Sequence, residues 1–173
     1  KVCRKMRDTT TYDQGASVDP IASAYRTVKA SSITSKDVCV VYGPGPIGLY
    51  AVQLIKLRGA KMIICVGTDV DSQRLELAKE LGADITINAS KENPVERVRE
   101  ITGGRMADYV QDCVGVPGIP VAAMNMLKKG GTYAVTGLYH SLPEVDLGKV
   151  VRSEIHIYGT ICYTRQEFEE CLN

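Results

Sequence analysis

The chain has 173 residues, with 21 Lys+Arg against 20 Asp+Glu and a formal net charge of +1. Hydrophobic residues make up 45% and charged residues 24%, the usual balance of one globular domain whose core needs neither disulfides nor metal. The near-neutral charge argues against a general nucleic-acid or membrane-surface binder, and no apolar run approaches the ~20 residues of a membrane span.

The opening KVCRKMRDTTTYDQ is basic and then polar, which does not read as a signal peptide. A helix is expected over 19–31, opened by Asp19 as N-cap and Pro20 at the first helical position. From there short β-branched runs alternate with segments of helical spacing. The runs are VCVVY (38–42), MIICV (62–66), DITIN (84–88), ADYVQDCV (107–114), GTYAVTG (131–137) and EIHIYGT (154–160). The first five are nearly continuous in apolar residues, as expected of strands buried on both faces. Helices are expected over 46–58, 72–81, 93–102 and 118–128, and another from near Gln166. Strands alternating with helices imply a doubly wound α/β Rossmann fold. The expected sheet has six parallel strands in the order 3-2-1-4-5-6, with helices on both faces.

Six cysteines are present, none in a C-x-x-C pair, and Cys39, Cys65 and Cys113 lie inside strand-like runs, where a thiol behaves as a small hydrophobe. The pattern points to a reducing, cytoplasmic setting. The two histidines, His140 and His156, are far apart and lack ligand-spaced neighbours, so no standard zinc pattern can be assembled.

The segment VVYGPGPIGL places Gly43, Gly45 and Gly48 in G-x-G-x-x-G spacing, directly after a strand and opening a helix. Gly43 suits the tight turn, Gly45 lets the backbone approach a pyrophosphate, and Gly48 allows close helix–strand packing. The amides at the helix start would face the anion. Strand two ends CVGTDVDSQR. Gly67 stands where an acid often sits, and Asp69 follows. Asp69 is either the acceptor for both ribose hydroxyls of NAD or a helix cap; Asp71 is the better cap. Arg74 either covers the adenine face, or approaches a 2′-phosphate, or is a solvated helix residue. A hydroxyl after glycine, as in Gly67-Thr68, suits NADP. The carboxylate of Asp69 would repel a 2′-phosphate, so the reading favours NAD with NADP kept as the alternative.

At this point the chain resembles the zinc-type medium-chain alcohol and polyol dehydrogenases, the group that includes sorbitol and threonine dehydrogenases. The segments that carry the resemblance are DPIASAYRTVKAS, DVCVVYGPGPIGLYAVQLIKLRGA, RLELAKELGAD, ENPVERVREITGGR, DCVGVP, LKKGGTYAVTGLY and IYGTICYTRQEFEECL, from about residue 15 to 173. The resemblance implies the nicotinamide-binding half of a two-domain oxidoreductase, with residues 1–18 leading in from the catalytic domain and 19–173 forming the NAD(P)-binding domain. It implies that Gly43, Gly45, Pro46, Ile47 and Gly48 meet the pyrophosphate, and that Thr68, Asp69 and Arg74 lie at the adenosine half. Val114, Gly115, Val116, Gly137 and Leu138 are strand-end residues along which the nicotinamide half would run; a plain turn is the alternative for each. Asp19 matches an acidic residue near the family's catalytic zinc, which the resemblance assigns to the other domain. No catalytic residue is expected in this chain, which alone should be inactive.

Hydride transfer between NAD(P) and a secondary alcohol or polyol is therefore the expected activity of the intact protein. A non-catalytic nucleotide-sensing module is the competing class. A methyltransferase fails on the glycine pattern and on the downstream GGTYAVTG and YTRQEFEE segments. The stretch 154–161 would form an outer strand with neither Pro nor Lys to protect its edge, which invites a second copy and a homodimer.

Overall fold

The computed structural model describes residues 3–172. The domain limits expected at residues 1 and 173 lie outside the described residues. A six-stranded sheet is formed by β1 (Val38–Tyr42), β2 (Met62–Gly67), β3 (Ile85–Asn88), β4 (Ala107–Asp112), β5 (Leu127–Val135) and β6 (His156–Gly159). Its order is β3-β2-β1-β4-β5-β6 and every neighbouring pair is parallel, as expected from the sequence.

Alternation along β1 divides the core. Cys39 and Val41 point to one face, with Ala51, Val52 and Ile55 of α2 (Pro46–Leu57) and Leu75 and Ala78 of α3 (Ser72–Glu80). Ala24 and Val28 of α1 (Tyr12–Lys29) join them. Val38 and Val40 point to the other face, with Val98 of α4 (Pro94–Ile101) and Ile119, Ala123 and Met124 of α5 (Ile119–Met126). A strand buried on both faces has no polar side to show, which is why the runs read as continuous apolar stretches.

Three local expectations are corrected. The helix expected from residue 19 begins at Tyr12, with Pro20 inside it. Thr11 and Gln14 form a reciprocal capping box: Gln14 N–H donates to Thr11 Oγ1 at 3.2 Å and Thr11 N–H to Gln14 Oε1 at 2.9 Å. That pairing satisfies two orphan donors eight residues earlier than Asp19-Pro20 could, so Asp19 is not an N-cap. Second, a further helix, α6 (Leu147–Ser153), carries the crossover from β5 to β6 and was not expected. It buries no residue completely, so no apolar period marks it; Asp146, accepting from Lys149 N–H at 2.8 Å, caps it. Third, β5 runs from Leu127 to Val135 and passes through an irregularity in its pairing with β4 before Thr132, rather than spanning the expected 131–137. The last helix, α7 (Arg165–Leu172), packs on α1, where Glu170 accepts from Tyr25 at 2.8 Å and pairs with Lys29 at 2.6 Å.

The opposite end of the sheet, away from the strands' carboxyl ends, is pinned by Asp108. Its buried carboxylate accepts from Val38 N–H at 2.7 Å, from both Arg105 guanidinium nitrogens at 2.6 and 2.9 Å, and from Lys128 at 2.5 Å. Burial pushes this carboxyl up, but the bonds from Arg105, Lys128 and Val38 outweigh it and hold the group below the ordinary aspartate value. Asp108→Ala strands a buried amide and is expected to cost about 1–3 kcal/mol at neutral pH. A depressed carboxylate contributes stability above its unfolded pKa of about 3.9 and loses it as pH falls through the folded value. Urea midpoints of wild type and variant should therefore differ at pH 7 and converge in acid below that value; a gap that widens in acid would contradict the assignment.

Candidate dinucleotide site

Crossovers leave β1 and β4 toward opposite faces, so a crevice opens between their carboxyl ends, where ligands of doubly wound sheets bind. The segment 43–48 lines it. Gly43 adopts φ +94°, a left-handed conformation that favours glycine, and its N–H donates to Val66 O at 2.8 Å, so that amide is committed to the sheet. Pro44 and Pro46 have no N–H. Gly45 is the N-cap of α2 and has no side chain to cap with. The first bond of the helix to its cap runs from Leu49 N–H to Gly45 O at 2.9 Å. The amides of Ile47 and Gly48 precede it and remain for an anion, together with that of Gly45.

The glycines differ in what surrounds them. A Cβ on Gly48 would lie 1.9 Å from Gly43 O, whereas a Cβ on Gly45 would meet nothing within 4 Å. Gly48 is therefore small because of packing, and Gly45 borders open space in the crevice. Gly67, at the end of β2, fits between Pro44, Asp71 and Leu75, each 3.1 Å from where its Cβ would stand.

Thr68 and Asp69 follow. Asp71 does not cap its own helix with its side chain; it accepts from Thr68 N–H at 3.0 Å and Thr68 Oγ1 at 2.9 Å and pairs with Arg74 at 3.1 Å. Partial burial pushes the Asp71 carboxyl up, but these three donors hold it below its ordinary value. Arg74 is thereby turned toward Asp71. Asp69 is 62% exposed, with Oδ1 accepting from Asn88 Nδ2 at 2.8 Å and lying 3.9 Å from Lys91 Nζ. Its N–H donates to Ser90 Oγ at 3.2 Å. Asn88, Ser90 and Lys91, at the end of β3, were not identified from the sequence. Ser90 and Lys91 line a groove of about 660 Å³ with Tyr42, Asn93 and Val121. The turn N-A-S-K after a strand was the available signal.

Across the crevice, Val114, Gly115 and Val116 follow β4, and Gly137 and Leu138 follow β5. Val114 and Val116 are 41% and 47% exposed, and Leu138 is 63% exposed. Ile47, Val114, Gly137 and Leu138 are brought together around a cavity of about 380 Å³, shared with Cys113, Thr136, His140 and Cys162. Burial pushes the Cys113 thiol well up, so it lines the cavity as a neutral group. Asp112, the last residue of β4, is fully buried and joins the two turns through hydrogen bonds. Burial first, then Tyr139 and Asp112 for Tyr133, and Asp112 for Tyr139, push both phenols well above the ordinary value, so they remain donors.

Asp19 is exposed on α1, and its carboxylate accepts from the Tyr163 hydroxyl, which that bond and burial push up to about 12. Among the described residues no three His, Cys, Asp or Glu side chains are grouped to hold a metal ion. The described residues therefore do not by themselves fit a zinc ion. Among the described residues no helix is long and apolar enough to cross a membrane.

The comparisons with known proteins agree with this geometry. A family profile described as zinc-binding dehydrogenase matches residues 46–173. The chain is 35% identical over 160 residues to a sorbitol dehydrogenase of Halalkalibacterium halodurans, covering 91% of this chain and 46% of that protein. It is 34% identical to a D-arabitol-phosphate dehydrogenase of Enterococcus avium, covering 88% of this chain and 44% of that protein. The crystal structure of 2R,3R-butanediol dehydrogenase from Bacillus subtilis superposes with a TM-score of 0.86 at 30% identity, covering 98% of this chain and 48% of that one. The chain thus spans about half the length of the relatives it matches. With a glycine-lined crevice at the switch between β1 and β4, and with relatives of this kind, the chain belongs to the zinc-binding dehydrogenase family.

Proposed function

We propose that this chain is the nicotinamide-dinucleotide-binding part of a dehydrogenase acting on a secondary alcohol or polyol, with residues 19–173 forming that part and 1–18 leading into it. The observation that carries the reading is the cradle at the start of α2, where Gly45 borders open space while Gly43 and Gly48 are fixed by packing. The amides of Gly45, Ile47 and Gly48 hold the pyrophosphate, and Pro46 sets the helix start without contributing a donor. Thr68, Asp69 and Arg74 lie at the adenosine half. Ile47, Val114 and Leu138 give the other half an apolar wall that excludes water, while Gly115, Val116 and Gly137 bring backbone close to it. When bound, a nicotinamide dinucleotide supplies the two-electron acceptor that oxidation of an alcohol to a ketone requires. Zinc belongs to a separate catalytic part of the intact protein, with Asp19 beside it. A cytoplasmic setting agrees with the buried thiols of Cys39 and Cys65, the latter pushed up to about 12 by burial.

Calorimetric titration of the chain should show binding of NAD, and polyol oxidation assays should show no turnover. A folded chain that binds no dinucleotide would overturn the cofactor reading. Turnover by this chain alone would overturn the assignment of catalysis to another part.

Asp69 favours NAD over NADP in this proposal. Its Oδ2 is left to accept from a ribose hydroxyl, while Asn88 and Lys91 hold Oδ1. Asp69→Ala removes a charge-assisted acceptor worth roughly 1.5–3 kcal/mol, so NAD affinity should fall about ten- to a hundredfold. NADP affinity should hold or rise, because the ammonium of Lys91 is released toward a 2′-phosphate. Equal losses for both cofactors would make Asp69 structural.

A homodimer through the stretch 154–161 is also proposed. β6 pairs with β5 on one side only, and Ile157 on it is 42% exposed. Antiparallel pairing of two such edges about a two-fold axis closes the assembly. Ile157→Pro removes a backbone donor and should give monomers by light scattering that still bind NAD; a wild-type chain already monomeric at high concentration would contradict the proposal.

A further inference from the structure

The turns after β4 and β5 are stacked backbone against backbone. A Cβ on Gly137 would lie 2.3 Å from Gly115 N, and one on Gly115 would lie 2.6 Å from Leu138 O. Asp112 serves both. Its main-chain oxygen accepts from the N–H groups of Thr136 and Gly137, each at 2.9 Å. Its Oδ1 accepts from Val114 N–H at 2.8 Å and Gly115 N–H at 3.0 Å. Its Oδ2 accepts from the Tyr133 hydroxyl at 3.0 Å and from the Tyr139 hydroxyl, and the two phenol oxygens lie 3.1 Å apart.

This carboxylate has no exposed surface, and among the described residues no cation pairs with it. Burying an unpaired charge is costly, and it is tolerated only when every lone pair is directed at a donor. Holding one strand-end turn would require far less, since backbone bonds and an Asn suffice for that. What the carboxylate adds is a link between two turns. Through Tyr139 it ties the residue following Leu138 to the turn that carries Val114 and Gly115.

We propose that Asp112 and Tyr139 are positioning residues that fix the distance between the Val114–Gly115 and Gly137–Leu138 turns. They thereby govern binding of the nicotinamide half of the dinucleotide and leave the adenosine half untouched. The inference rests on the dinucleotide reading above. It follows from placement: the glycine cradle follows β1, Asp69 follows β2 and Ser90 follows β3. The Asp112 cluster lies under the turns of β4 and β5.

The test compares two probes, NADH and ADP-ribose, which share the adenosine and pyrophosphate parts and differ in the nicotinamide. Both are titrated against the chain, Tyr139→Phe and Asp112→Asn, with folding checked by thermal unfolding. Tyr139→Phe removes one bond to a buried carboxylate and should weaken NADH roughly tenfold while ADP-ribose stays within about twofold. Asp112→Asn should show the same selectivity; if it does not fold, Tyr139→Phe alone decides. Equal loss of both probes, or no loss of NADH, would overturn the inference and leave the dinucleotide reading standing. A wild-type chain that binds neither probe would overturn both.

Discussion

Gly45→Val is expected to leave the chain folded and to abolish dinucleotide binding. Gly45 has φ −72° and ψ −179°, an extended conformation that valine adopts without strain, and nothing lies within 4 Å of the position its Cβ would take. The folded state therefore has room for the new side chain. The room is the crevice itself, and the branched methyl groups would stand between the anion and the amides of Ile47 and Gly48. Losing two charge-assisted bonds of about 1.5–3 kcal/mol each corresponds to a hundredfold weaker binding or more. Thermal unfolding should be unchanged and calorimetry should register no NAD binding. A variant that unfolds early, or one that still binds, would show that Gly45 is not the ligand-facing position.

Gly48→Ala is expected to do the reverse and act on stability first. A Cβ there would lie 1.9 Å from Gly43 O and 3.0 Å from the Gly43 carbonyl carbon. Gly43 cannot yield, because its N–H is bonded to Val66 O and a side chain's width away stands Val114 Cγ2, 2.3 Å from its own hypothetical Cβ. Overpacking of this kind costs about 1–3 kcal/mol, and with backbone as the obstacle the upper end is expected, which for a chain of this size lowers Tm by roughly 10 °C. An alanine at 48 with unchanged Tm would mean that α2 slides along β1 freely, contrary to the packing described. Together the two variants separate the glycine that binds from the glycine that packs, which identical spacing in the sequence conceals.

Strand order was legible because burial on both faces writes itself into continuous apolar runs such as VCVVY and MIICV. The cradle was legible because turn, approach and packing each demand glycine at a fixed offset. The start of α1 was misread because Asp19-Pro20 is a familiar helix opening, while Thr11 and Gln14 lie in a polar stretch with no apolar period to draw attention. The crossover helix α6 escaped for the same reason, since none of its residues is fully buried. Asp112 could not be singled out from sequence. Its meaning depends on Tyr133 and Tyr139, 21 and 27 residues on, which the pairing of β4 with β5 brings to it. The companions of Asp69 were hidden likewise, because Asn88 and Lys91 reach it only through the pairing of β2 with β3.

The proposed function places a dinucleotide across the carboxyl ends of β1, β2 and β4. Amide chemical-shift mapping of the isotope-labelled chain titrated with NAD tests it most directly. The amides of Gly45, Ile47, Gly48, Asp69, Val114, Gly115 and Leu138 should shift together along one saturable curve, while the opposite end of the sheet, around Asp108 and Lys128, stays still. Shifts confined to that opposite end or to the α1–α7 face, with the 45–48 amides unmoved at saturation, would contradict it.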